Sequence, residues 1–182
     1  MNCYGSKEIA ASFRTVRNNT LQIAHDIPED QYSFRAAEGT RTVAQILIHI
    51  SNVHRFVTTI LRDEPRSSME GFNFPAFIGP IAATEQEPLT KAQIIARLTA
   101  TGEDFESWVK TLSDDFLCRA VAMPPGGSPP SRTHFDMLLS VKEQEMHHRG
   151  QLMLIERMLG ITPHLTRIAQ ERRAAMAAAA KP

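Results

Sequence analysis

Two histidines stand inside apolar helical runs. His49 lies within Ile46-Leu47-Ile48-His49-Ile50 and shares a helix face with Val53 at i+4 and Phe56 at i+7. His148 interrupts a second stripe, in which Val141, Gln144, Glu145, Leu152, Ile155 and Leu159 recur at spacings of three and four. An imidazole so placed is either a hydrogen-bonded core residue or a ligand, and for His49 taken alone the core reading is the commoner one. Gln144 and His148 project side by side, about 5–6 Å apart at Cβ, so both can reach one metal ion or water. Glu145 and His148, at i and i+3, make a similar pairing from the other side. His147 is rotated about 100° away and faces a neighbouring helix or solvent. Polar clusters in a core stripe cost stability unless satisfied. Their presence in two helices is explained most economically by a divalent metal bound across the bundle. A di-iron centre is excluded on ligand count, because it needs two Glu-x-x-His motifs and two further carboxylates. Glu145-x-x-His148 is the one such motif here.

Four long helical patterns are available to position these residues. The first runs over Ser6–Asp26, with Ile9, Phe13, Val16, Thr20 and Ile23 on one face, and Pro28 stops it. The second runs over Thr42–Asp63 as one broad stripe ending before Glu64-Pro65. A third follows the capping box Thr90-x-x-Gln93 and reaches Leu112. The fourth, Ser131–Leu159, is the longest and ends at Gly160, with Pro163 beyond it. Strand alternation is hardly visible. An all-α four-helix bundle over residues 1–163 is expected, with one long crossover through residues 64–89. That link is rich in Phe, Gly and Pro; its phenylalanines Phe72, Phe74 and Phe77 either seal the core or roof a pocket. The Pro-rich stretch from Met123 to Pro130 cannot be helical. Residues 164–182 are expected as a short, partly disordered helical extension.

Composition narrows the function classes. The chain has 182 residues, with 20 basic against 20 acidic side chains. Zero formal charge argues against a nucleic-acid surface, which needs a concentrated positive field. No stretch approaches the roughly 20 apolar residues of a membrane helix, so a soluble, cytoplasmic protein is expected. Cys3 and Cys118 cannot make a disulfide framework, and Gly126-Gly127 lacks the spacing of a phosphate loop. Composition by itself names no activity.

Gln144-Glu145-Met146-His147-His148-Arg149-Gly150-Gln151-Leu152, together with the helical His49 context, resembles the signature of the DinB-like proteins. That family carries H-x-x-x-H-R-G-Q on the fourth helix and a histidine on an earlier one. The resemblance extends from the first helix to about Pro163. It implies a four-helix bundle holding zinc or nickel through three histidines, with open positions for water. His49 and His148 match two of the three ligands. The third falls on Gln144, a weaker donor for zinc-like ions. Four outcomes stand: Gln144 binds weakly, Glu145 substitutes, water completes the shell, or the metal is lost. Characterised relatives include S-transferases and isomerases that use bacillithiol or mycothiol. The implied function is therefore metal-assisted transfer of a low-molecular-weight thiol to a small-molecule electrophile. The alternative is a degenerate, non-enzymatic member, a homodimeric small-molecule-binding bundle of the stress response. Arg149 is the nearby cation for an acidic substrate, although a structural role for Arg149-Gly150-Gln151 is favoured.

Overall fold

The structure is a computed structural model and describes residues 4–179. Eight α-helices account for most of it. They are α1 (Ser6–Asp26), α2 (Val43–Asn52), α3 (Arg55–Thr58), α4 (Phe74–Ala83), α5 (Lys91–Val109), α6 (Asp114–Cys118), α7 (His134–Met158) and α8 (His164–Ala179). The four-helix core is α1, α2, α5 and α7. Helices α1 and α2 each lie against both α5 and α7. No helix among the described residues is long and apolar enough to cross a membrane.

Local chemistry sets most of the helix ends. Thr90 accepts a hydrogen bond from Gln93 N while the Gln93 side chain accepts from Thr90 N, closing the expected capping box before α5. Thr42 and Gln45 do the same before α2. The cap of α1 is Gly5, whose N–H donates to Glu8. After α7, Gly160 takes a φ of 76°, and Ile161 N returns to the Glu156 carbonyl. That close requires the left-handed backbone glycine adopts cheaply.

The expected second helix is not continuous. It breaks at Val53-His54, resumes as α3, and widens into a π-helical turn over Thr59–Asp63. The cause lies one turn earlier, where Ser51 Oγ and Asn52 Nδ2 both donate to the Ile48 carbonyl. Such side chains compete with the backbone for the helix's own acceptors. The 64–89 link also differs from expectation, because it contains α4. Pro75 falls in the first turn, where a missing N–H costs nothing, and Asn73 caps the start by accepting from Ala76 N. The stretch 123–130 is non-helical as expected. It joins two short antiparallel strands, β1 (Ala120–Ala122) and β2 (Ser131–Thr133), so the last core helix starts at His134. Helix α8 is longer than expected, and its first turn is tied down by Arg167 to Asp26 at 2.7 Å and His164 to Asn19 at 3.1 Å. Residues 180–182 of the extension expected over 164–182 lie outside the described residues.

The core is split by a polar layer. Ile9, Phe13, Ile60, Phe105 and Val141 belong to one apolar cluster; Ile23, Leu47, Ile50, Leu98 and Leu152 belong to the other. Between the clusters in sequence, Arg17 from α1 meets Glu145 from α7, both buried. Arg17 also donates to the Leu98 carbonyl at 2.6 Å, and Thr20 Oγ1 donates to Glu145 at 2.8 Å. Gly102 makes room for the guanidinium arm, since a Cβ there would stand 2.9 Å from Arg17 Cγ.

Candidate functional site

Histidines His49 of α2 and His148 of α7 meet across the bundle, their ring centroids 4.4 Å apart and their planes at 75°. Each ring is held from behind by a different partner. His49 Nδ1 lies 2.8 Å from Glu85 Oε1. An ionised carboxylate only accepts, so this nitrogen carries the proton. Glu85 is itself clamped by Arg41, with Nε and Nη2 at 2.6 and 3.2 Å. Burial pushes the Glu85 carboxyl up, but hydrogen bonds from Arg41 and His49 outweigh it and hold the group below its ordinary range. His148 Nδ1 donates to Gln151 Oε1 at 3.1 Å, and the Gln151 amide nitrogen donates to His147 Nε2 at 3.2 Å. His148 is 6% exposed. Burial lowers its pKa, and the Gln151 bond only partly offsets that.

These bonds set the tautomers. A neutral ring protonated on Nδ1 presents Nε2 as a lone pair. In both His49 and His148 the Nε2 atom has no hydrogen-bond partner among the described residues. Two basic nitrogens, each oriented by a hydrogen bond on the far side of its ring, is the arrangement that metal-binding histidines use. The donor set is short, however. Among the described residues no group of three or more His, Cys, Asp or Glu side chains is arranged to hold a metal ion.

The other residues singled out by sequence fall on different sides. Gln144 is exposed on α7, one turn before His148. Glu145 is 0% exposed and turns to α1, where both oxygens are taken by Arg17 and Thr20. It does not stand in for a missing ligand in this arrangement, because leaving would strand a buried guanidinium. Arg149 is half-buried, its Nε has no hydrogen-bond partner, and burial lowers its pKa. It does not line the recess beside His49. Of the aromatic link, Phe72, Phe74 and Phe77 gather edge-on around Phe56 at 5.8–5.9 Å. Phe56 and Phe77 also wall a recess beside His49.

The profile of the DinB superfamily matches residues 12–152. The chain belongs to the DinB superfamily. Its similarity to the uncharacterised protein YjoA of Bacillus subtilis is 24% identity, over 86% of this chain and 92% of that one. The crystal structure of YjoA, a DinB-like protein, superimposes with a TM-score of 0.63 at 21% identity, covering 85% of this chain and 93% of that one. A conserved protein from Enterococcus faecalis gives a TM-score of 0.62 at 12% identity, covering 82% and 93%. A protein from Streptococcus pneumoniae gives 0.64 at 15%, covering 86% and 93%. At these identities the structural neighbours establish the DinB fold.

Within this DinB chain, sequence reasoning found both rings and missed two of their supports. Arg41 lies on the loop before α2 and Glu85 on the 84–86 turn after α4, and no spacing rule links them to His49. Gln151 was visible in the quoted signature, and its bridging role is the one that its neighbours His147 and His148 give it.

Proposed function

We propose that this chain is a divalent-metal-dependent enzyme, with the metal, zinc or nickel, held by Nε2 of His49 and His148 and by the side-chain carbonyl of Gln144. The observation that carries this reading is the pair of Nδ1 bonds, to Glu85 and to Gln151, which leave two adjacent imidazoles with free Nε2 lone pairs. A metal bound there lowers the pKa of a coordinated thiol or water. The protein's part is to orient both rings, with Arg41 fixing Glu85, Glu85 fixing His49, and Gln151 fixing His148. The reaction class proposed is transfer of a low-molecular-weight thiol to a small electrophile.

Metal content of the purified protein, measured by elemental analysis beside His49→Ala and His148→Ala, tests the metal. Equal metal in all three proteins after metal addition would sink it. Conjugation assays with bacillithiol, mycothiol and glutathione test the reaction, and flat rates with metal in place would reject thiol transfer. A second reading, a degenerate small-molecule-binding bundle of the stress response, draws support from Gln144, which replaces an imidazole by a weaker donor. In either reading the chain is proposed to act in the cytoplasm, without nucleic-acid or membrane partners. A homodimer is also proposed. Its support is the apolar stripe Met146, Leu154 and Met158, exposed at 43, 58 and 51% along α7. Light scattering that returns a monomer mass would reject the dimer.

A further inference from the structure

A polar cavity of about 340 Å³ lies at the break between α2 and α3, bounded by α3, the π-helical turn and α5. Neither His49 nor His148 lines it. Its wall carries three arginines, Arg55, Arg62 and Arg97, against one carboxylate, Asp63. Arg62 gives Nε to Asp63 and Nη1 to Asp104, while Arg97 gives Nη1 to Glu87 and Nη2 to Asn52. Those three carboxylates are exposed, so water screens the pairs. Nη2 of Arg62 and Nε of Arg97 keep no hydrogen-bond partner among the described residues. Arg55 is exposed, and its guanidinium has no partner at all among them. One buried side chain in the same wall is also unpartnered. His54 is 7% exposed, and its Nδ1 is sealed without a hydrogen bond. Burial, with the charges of Arg17, Arg62 and Arg55, lowers its pKa to about 4 against the pull of Asp104. The ring is therefore neutral at pH 7 and holds one N–H. A proton on the sealed Nδ1 would lack an acceptor, so it belongs on Nε2.

We propose that this cavity binds a phosphoryl group, as free phosphate or as the end of a small monoester. Arg55 supplies the unpaired guanidinium, Arg62 and Arg97 add their free N–H groups, and His54 donates from Nε2. Guanidinium groups from three positions along the chain suit a tetrahedral anion, whose oxygens accept from several directions. A flat carboxylate is satisfied by a single fork. The hydroxyls of Ser51, Thr58 and Thr101 add no donors, because each already donates to a helix carbonyl. Recognition therefore rests on the cations and the imidazole. A volume of this size falls within the range of small-molecule pockets and leaves room for the rest of an ester. The site is independent of the metal reading, since His49 and His148 take no part in it.

The test is histidine-selective NMR of the protein as purified, titrated at fixed ionic strength with inorganic phosphate and with glycerol 3-phosphate. Chloride and glycerol serve as blanks, and His54→Gln assigns the His54 ring signals. Those signals are expected to shift saturably with a Kd of about 1–10 mM, while the His49 and His148 signals stay in place. Arg55→Gln, at an exposed position, should weaken binding about tenfold. Arg35→Gln removes an equally exposed guanidinium outside this cavity and should change nothing. Tighter binding of glycerol 3-phosphate would assign the site to monoesters, and equal or weaker binding would assign it to free phosphate; either supports the proposal. No saturation below roughly 50 mM, shifts reproduced by a blank, or shifts confined to His49 and His148 would overturn it. So would undiminished binding in Arg55→Gln or an equal loss in Arg35→Gln.

Discussion

Arg17 and Glu145 grip each other across the bundle, with the Arg17 Nε and Nη2 atoms both 2.9 Å from carboxylate oxygens and neither side chain open to solvent. The pair takes the glutamate away from the histidines and joins α1 to α7 at mid-length. Removing one partner leaves an uncompensated buried charge. Glu145→Ala is expected to cost about 3–5 kcal/mol, measured by urea unfolding, with metal per folded chain unchanged. Loss of metal at intact stability would make Glu145 a ligand after all.

Glu85 acts on His49 from outside, and its own position depends on Arg41. Glu85→Ala frees the ring to rotate and removes the acceptor that keeps Nδ1 protonated. Metal affinity should fall about 10- to 100-fold, read by competition with a chelator, while thermal stability changes little. Undiminished affinity would mean that the carboxylate only anchors the 84–86 turn.

Gln144 faces solvent one turn before His148 and offers an amide oxygen where the family pattern has imidazole. Replacing it by histidine supplies a better donor without disturbing the core. Gln144→His should bind zinc or nickel more tightly in the same competition experiment. Equal or weaker binding would show that position 144 does not contact the metal.

Glu156 is fully buried beneath α8, and neither carboxylate oxygen has a hydrogen-bond partner. Burial and the Asp26 charge raise its pKa to about 7, against the opposing pull of Arg167 and Arg157. The folded value lies above the ordinary 4.5. The neutral carboxyl's contribution is therefore complete below about 4.5 and is lost as pH rises through about 7. The loss should be on the order of 2–3 kcal/mol. Glu156→Gln should flatten this decline in unfolding measurements between about pH 5 and 8. A decline of equal depth in the variant would assign it to groups other than Glu156.

The amino-acid sequence determined the helices and the two rings. Apolar residues three and four apart mark a buried face however the helices are later arranged, so His49 and His148 stood out as polar groups in core stripes. Caps and stops did the same for α5 and for the end of α7, because Thr90-x-x-Gln93 and Gly160 act on backbone only a few residues away. The tertiary structure decided the directions. Gln144 and Glu145 sit on either side of His148 within about 100° of helix surface, and periodicity cannot separate two neighbours that close. The arrival of Arg17 from α1 drew Glu145 into the buried ion pair and left Gln144 exposed. The supports of His49 were beyond local reading for a related reason. Glu85 and Arg41 belong to connections, and an ion pair between residues 44 positions apart exists only once the chain has folded back on itself.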